Sequence, residues 1–170
     1  MAAETFTYDW SRFTKRVNIK ADVSAVYKTW ATQDGLEQFF LRDAVFTTTS
    51  ASLRGRHDFA QPGDTYEWRW HGYQDSMTER GEILEANGTD KIKFVFDIAG
   101  IVTVTIKTEQ GETIAELLQE GIPAGEQNKV NFHLGCSTGW VFYLANLKSI
   151  LEGGIDLRNK NVDLKNVVTA

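Results

Sequence analysis

The chain has 170 residues and a formal net charge of −5 at pH 7, and its composition is 42% hydrophobic and 24% charged. These ordinary globular proportions exclude a disordered or collagen-like chain, and the length favours a single domain. The acidic balance, with a pI near 5.2, makes nucleic acid and anionic membranes poor partners. A single cysteine, Cys136, excludes an internal disulfide and a four-cysteine zinc site.

Alternating apolar and polar side chains predict a first strand over residues 13–19. A helix capped by Asp22 should follow, because four apolar residues then recur at helical spacing: Val23, Val26, Tyr27 and Trp30. Asp34 and Glu37 have the spacing of a capping box and predict the start of a second, short helix. The apolar residues of that helix are Leu36, Phe39 and Phe40.

Residues 42–121 contain strand-length segments separated by turn signals, and no convincing helix. The predicted strands are 44–49, 65–73, 81–85, 91–98, 101–108 and 113–120. A turn is predicted at 61–64, where Pro and Gly occupy type II positions, and a hairpin at Asn87 and Gly88.

Aromatic side chains gather on one face of two of these strands, because successive side chains point to opposite sides. In strand 65–73 one face carries Tyr66, Trp68 and Trp70. The other face of that strand carries Glu67, Arg69 and His71. In strand 91–98 one face carries Ile92, Phe94, Phe96 and Ile98. We expect the ring-bearing faces to point into the protein.

The last element is predicted as a long amphipathic helix from about residue 125 to residue 152. Its apolar stripe comprises Trp140, Leu144, Leu147 and Leu151. Gly153 and Gly154 should end it. The polar segment 154–170 is expected to lie on the surface or to be disordered, which leaves residues 12–153 as the domain and residues 1–11 as a lead-in.

This order of elements predicts an α+β fold in which a curved antiparallel sheet grips the long C-terminal helix. Several segments, in this order, resemble those of a known family. They are 17–27, 66–70, 80–86 and 91–96, and in the last helix Gly139 and Trp140 followed by Leu144 and Leu147. Through them the chain resembles the START-like, helix-grip superfamily, which includes plant pollen allergens and polyketide cyclases. Within that superfamily it resembles the family named for activators of the heat-shock chaperone ATPase.

The resemblance implies a cavity between sheet and helix, and the twenty large rings of the chain suit either a cavity or a thick core. We interpret the chain as a non-catalytic protein that binds a small hydrophobic or aromatic ligand. The residues predicted to line the cavity are Trp30, Phe40, Trp68, Trp70, Phe94, Phe96, Trp140 and Leu144. Arg69 and His71 become polar anchors there if the faces of strand 65–73 are reversed.

Two features of the last helix have both a functional and a structural interpretation. Gly139 would let the helix approach the sheet while Trp140 closes one end of a cavity, or Trp140 is simply core. His133 and Cys136 lie one helical turn apart, but a zinc site needs at least one more protein ligand. We therefore predict no metal and no cofactor.

Other hypotheses remain open at this point. A cyclase- or hydrolase-like enzyme would need ionisable groups in the cavity, and the candidates are Glu67, Arg69, His71, Glu82 and Asp97. A co-chaperone would need an exposed patch for its partner, and a homodimer through a sheet edge or the tail is a further possibility. No segment approaches the ~18 apolar residues of a membrane span, and residues 1–10 do not resemble a signal peptide, so we expect a cytoplasmic protein.

Overall fold

The computed structural model describes residues 7–164 and 167–168 and shows an α+β domain. Seven strands form one antiparallel sheet: β1 (Arg12–Ile19), β2 (Asp43–Thr47), β3 (Thr65–Arg69), β4 (Glu79–Ala86), β5 (Lys91–Val95), β6 (Ile101–Glu109) and β7 (Glu112–Glu120). Their order across the sheet is β1-β7-β6-β5-β4-β3-β2, so the first two strands of the chain form its two edges.

Helices cover one face of this sheet. Between β1 and β2 lie α1 (Val23–Ala31) and α2 (Gln33–Phe39). The last helix begins with a single turn, α3 (Glu126–Asn128), continues as a π-helical segment (Lys129–Leu134) and extends as α4 (Gly135–Leu151). The predicted fold class is confirmed: a curved antiparallel sheet grips a long C-terminal helix, with two short helices after the first strand.

The core lies between the concave face of the sheet and the helices, and it follows the alternation of the strands. In β6 every second side chain is buried, and these are Val102, Val104 and Ile106. Helix α4 contributes Trp140, Leu144 and Leu147 from one stripe. Most of the predicted aromatic faces therefore point inward, and they fill most of the space between the layers.

The predicted capping box at Asp34 is wrong by two residues. Thr32 is the N-cap of α2, because its hydroxyl oxygen accepts a hydrogen bond from the Gly35 N–H at 3.0 Å. Asp34 lies within the first turn, and Glu37 accepts from the backbone N–H of Ala44 instead of closing a box. Asp22 occupies the N-cap position of α1 without a capping hydrogen bond from its side chain.

Two predicted strands end earlier than the sequence pattern indicates. The strand predicted over 65–73 ends at Arg69, and the strand predicted over 91–98 ends at Val95. The chain then reverses through a 3₁₀ turn at Asp97–Ala99, because Gly100 (φ 103°) approaches β7 so closely that a Cβ would lie 2.2 Å from the Glu120 carbonyl oxygen. Ile98 is consequently 62% exposed and does not share the buried face of Phe94.

The described residues after α4 are mostly exposed, but Arg158 is buried. Its guanidinium donates hydrogen bonds to three carbonyl oxygens at the end of α2, those of Glu37, Gln38 and Leu41. Burial opposes ionisation of Asp156, but hydrogen bonds from Arg158 and from Lys160 hold the pKa of Asp156 well below its usual range. The ion pair satisfies carbonyl groups that α2 leaves open, and it fixes the start of the tail.

Candidate functional site

A cavity of about 600 Å³ lies between the last helix and the ends of β3, β4 and β5. Besides Tyr73, six rings form much of its wall: Phe40, Trp70, Phe96, Phe132, Trp140 and Tyr143. Tyr73, Met77 and Ile98, all of them exposed, also line it. This volume lies within the range of roughly 300–1,000 Å³ that is typical of small-molecule sites. A lining dominated by apolar and aromatic side chains is also typical of such sites.

The cavity exists because two strands end before their aromatic patterns do. Trp70 follows the last residue of β3, and Phe96 follows the last residue of β5. The chain then leaves the sheet at both places, so no strand fills the space beneath the start of α4. Phe40 packs between Trp70 and Trp140, with its ring centroid 4.9 Å from that of Trp140 and 5.6 Å from that of Trp70.

The structure divides the eight residues predicted to line the cavity into two groups. Phe40, Trp70, Phe96 and Trp140 lie in its wall. The other four belong to the filled core and do not line it: Trp30, Trp68, Phe94 and Leu144. Neighbouring rings occupy the space around them, as Tyr66 shows by stacking on Trp68 with centroids 3.8 Å apart.

The two candidate polar anchors do not reach the cavity. Arg69 lies on the opposite face of β3, where its guanidinium donates to the Thr78 hydroxyl at 3.0 Å and pairs with Glu67. His71 is half-buried outside the cavity wall, and burial, followed by the nearby charge of Arg158, lowers the pKa of its imidazole. The ring-bearing face of β3 is therefore the inward one, as expected from the alternation.

Glu79 is the functional candidate that the sequence analysis missed. It is the first residue of β4, it lines the cavity, and its Oε1 atom is buried with no hydrogen-bond partner among the residues that the structure describes. Burial, and next the negative charge of Asp97, raise the pKa of its carboxyl to about 7. The signal was present, since Glu79 precedes Gly81 and Ile83 on the inward face, but the predicted strand began two residues too late.

Asp97 and Cys136 are the neighbouring ionisable groups. Asp97, one of the proposed catalytic candidates, is exposed and lines the cavity from the 3₁₀ turn. Cys136 lines it from α4, and burial raises the pKa of its thiol. Glu67 and Glu82, two other candidates, lie outside the cavity wall. Ionisable groups are thus present in the cavity, which is the condition that an enzyme would require.

A buried glutamine holds the cavity wall together. Gln119 of β7 accepts a hydrogen bond from the Trp140 indole N–H at 2.7 Å and donates one to the Ala99 carbonyl oxygen at 2.9 Å. This residue is fully buried. It therefore ties the last helix, the sheet and the 3₁₀ turn to one another, and it fixes the orientation of Trp140.

Gly139 does not have the role predicted for it. A Cβ at this position would meet no atom within 4 Å, so Gly139 does not serve a close approach of helix and sheet. It lines the cavity instead, and its missing side chain leaves space there. Trp140, which follows it, is both 98% buried and part of the cavity wall, so the two interpretations of this residue hold together.

The pair His133 and Cys136 does not assemble a metal site among the described residues, which contain no cluster of three or more suitable ligands. His133 is buried, with Nε2 at 2.9 Å from the Tyr8 hydroxyl and Nδ1 at 3.0 Å from the Trp10 carbonyl oxygen. Both ring nitrogens thus have partners in the lead-in segment, which the imidazole holds against the last helix.

A curved antiparallel sheet around a long C-terminal helix, with a ring-lined cavity between them, defines a START-like domain of the helix-grip type. Residues 20–152 match the family model described as Activator of Hsp90 ATPase homolog 1-like protein. The chain therefore belongs to this family, as the sequence resemblance implied. No curated protein is similar enough in sequence to count as a match.

Solved structures of bacterial proteins share the fold. Protein SSP2350 from Staphylococcus saprophyticus is 18% identical, with 86% of this chain and 96% of that chain covered and a TM-score of 0.67. The Aha1 dimer from Colwellia psychrerythraea is 18% identical, with 84% and 97% covered and a TM-score of 0.64. Protein NE0264 from Nitrosomonas europaea is 12% identical, with 86% and 97% covered and a TM-score of 0.64. Identities this low establish a common fold alone.

Within residues 7–164 and 167–168, no helix is long and apolar enough to cross a bilayer.

Proposed function

We propose that the protein binds a small apolar molecule, with an aromatic or similarly flat part, in the cavity between the sheet and α4. The observation that carries this proposal is an open, ring-lined space of about 600 Å³ between the ends of the strands and the last helix. Burial of apolar surface contributes roughly 25 cal/mol per Å², so a wall of this kind supplies affinity without many polar contacts.

The rings of the cavity wall contact one another and form a continuous surface. Trp140 lies at its centre, with its ring centroid 4.9 Å from that of Phe40 and 5.5 Å from that of Phe96. The indole N–H of Trp140 is already bonded to Gln119, so the ring is held in place before any ligand arrives. A preorganised wall loses little conformational entropy when the ligand binds, which favours affinity.

The open space at Gly139 gives a direct way to test the proposal. Gly139→Leu places a side chain in the cavity from a helix position where a Cβ would lie more than 4 Å from any atom outside its own stretch of helix. Leucine also has a higher helix propensity than glycine, so the variant should fold. Val141→Leu is the matched control, because it adds bulk at a position of the same helix that is 53% exposed.

The experiment is a fluorescence titration with N-phenyl-1-naphthylamine, an uncharged dye that emits strongly when apolar surroundings exclude water. We expect saturable binding of one dye per chain to the wild type and to Val141→Leu. Gly139→Leu should lose at least about tenfold in affinity while its far-ultraviolet circular dichroism is unchanged. Equal binding by Gly139→Leu, or no saturable binding by the wild type, would refute the proposal.

Regulation of an Hsp90 ATPase is a second candidate function, because the family description names an activator of that enzyme. Exposed apolar side chains near the cavity provide a surface for a partner, and they include Met77, Ile98, Val130 and Leu134. The test is the ATPase rate of an Hsp90 chaperone with and without the protein. An unchanged rate at saturating concentration removes this candidate and leaves the cavity proposal standing.

A further inference from the structure

The charges in the cavity wall are all of one sign. Among the described residues that line it, Glu79 and Asp97 are acidic and none is Lys, Arg or His. Basic side chains outside the wall have acidic partners of their own. Arg42, which donates to the Tyr73 carbonyl oxygen, pairs with Asp43 and Asp75, and Arg69 pairs with Glu67 on the outer face. The carboxyl groups therefore have no basic counterpart in the cavity wall.

Glu79 presents an acceptor that nothing in the described protein satisfies. Its Oε1 atom is buried and makes no hydrogen bond there, although the side chain lies in the wall of a space large enough for a ligand. Buried polar groups in folded proteins are nearly always paired, and those that are not call for an explanation such as a ligand. The free acceptor and the open space occur together at this one place in the wall.

The groups that face Glu79 from other elements are Tyr66 of β3, Asp97 of the 3₁₀ turn and Cys136 of α4. Burial raises the pKa of Tyr66 and of Cys136, so both are uncharged at neutral pH. The Tyr66 hydroxyl already donates to the Val95 carbonyl oxygen. Asp97 therefore provides the only other formal charge near Glu79 among these groups.

We propose that the ligand is an organic cation, an amine joined to an apolar part, whose ammonium group donates to Glu79 beside Asp97 while its apolar part lies against the rings. This inference rests on the proposed function and specifies the ligand class. An ammonium supplies the missing donor and neutralises the carboxylate, and it is also attracted to the aromatic rings around it. An anionic ligand would meet two like charges in a partly desolvated space, which disfavours it.

The test compares three naphthalene probes of similar size that differ in charge: 2-(1-naphthyl)ethylammonium, 2-(1-naphthyl)ethanol and 3-(1-naphthyl)propanoate. Affinities are measured by isothermal titration calorimetry at pH 8 for the wild type and for Glu79→Gln. The control variant is Glu82→Gln, which removes a carboxylate from an exposed position of the same strand. For the wild type and Glu82→Gln we expect the ammonium to bind at least about tenfold more tightly than the alcohol, and the propanoate to bind most weakly.

In Glu79→Gln the preference for the ammonium over the alcohol should disappear, and the affinity for the alcohol should stay within about threefold of that of the wild type. If this variant does not fold, the wild type alone still gives a test. The ammonium probe binds only when Glu79 has lost its proton. The affinity of the wild type for this probe should therefore rise about tenfold between pH 6 and pH 8. The affinity for the alcohol should stay within about twofold over the same range.

The outcomes distinguish failure of the inference about the cation from failure of the proposed function. If the alcohol binds the wild type as tightly as the ammonium does, the inference about the cation fails while the proposed function stands. If the preference for the ammonium persists unchanged in Glu79→Gln, Glu79 is not its partner and the inference also fails. If none of the three probes binds the wild type, both proposals are overturned.

Discussion

The interior between sheet and helices has two halves built from the same kinds of residue. The cluster formed by Trp30, Tyr66, Trp68 and Phe94 is called the closed half. The wall formed by Trp70, Phe96, Trp140 and Glu79 is called the open half. In the closed half the rings stack and interlock, with Tyr66 and Trp68 only 3.8 Å apart between centroids. In the open half the rings border a cavity of about 600 Å³.

The difference between the halves arises from where the strands end. Trp68 and Trp70 are two residues apart, as are Phe94 and Phe96, so each pair would share a face if the strand continued. β3 ends at Arg69 and β5 ends at Val95, so the second member of each pair is not followed by sheet. Aromatic residues at strand spacing therefore fill a core where strands surround them, and they line a cavity where the strands end.

The largest expected effect separates the halves by stability. Trp68→Ala should lower the free energy of unfolding by about 3–5 kcal/mol, because it leaves a void among rings that cannot collapse into it. Trp70→Ala should cost about 1 kcal/mol, because Trp70 is half-buried at the cavity. Urea denaturation followed by circular dichroism measures both.

Trp68→Phe provides the control for the closed half. It keeps a ring and removes an indole N–H that is buried without a hydrogen-bond partner among the described residues, so it should cost less than half of the alanine effect. Similar losses for Trp68→Ala and Trp70→Ala would show that the interior is not divided in this way.

The fold and four of the residues that line the cavity could be predicted from the sequence because both depend on periodicity. Alternation along the strands identified the inward faces, and the helical stripe identified Trp140. Periodicity does not show whether a neighbouring element fills the space beside a ring. It therefore placed Trp68 and Trp70 in the same set, although the first belongs to the core and the second to the cavity.

Glu79 and Arg158 could not be identified by the same means, for different reasons. Glu79 lies on the inward face of β4 but is preceded by a loop, so the pattern was too short to extend the strand to it. Arg158 lies in a polar segment with no period, and its burial depends on carbonyl groups more than a hundred residues earlier in the chain. Contacts of this kind are tertiary and have no local signal.

A smaller effect concerns how the free energy of unfolding depends on pH, which should come from the open half. The folded-state pKa of Glu79 is raised from 4.5 to about 7, so between these pH values the folded protein holds a proton that the unfolded chain has released. The free energy of unfolding should therefore fall as pH rises through this window, by about 1–3 kcal/mol in the free protein.

The difference between the wild type and Glu79→Gln isolates this contribution, because every other titrating group is common to both proteins. Glu79→Gln should gain stability relative to the wild type as pH rises from 4.5 to 7. Glu82→Gln, on the same strand but exposed, should follow the wild type. Parallel curves for the wild type and Glu79→Gln would mean that Glu79 is solvated and does not belong to a desolvated wall.

The smallest effect concerns Gly139, where the open half borders the helix. Gly139→Ala should raise the free energy of unfolding by about 0.5–1 kcal/mol, because alanine has the higher helix propensity and its Cβ meets no atom within 4 Å. Gly81→Ala is the comparison variant beside the closed half. Its Cβ would lie 2.5 Å from the Tyr66 hydroxyl oxygen, so this substitution should destabilise the fold. Thermal unfolding of the two variants compares the signs directly. If Gly139→Ala also destabilises the protein, the space beside α4 is closed in solution, and the cavity on which the proposed function depends is absent.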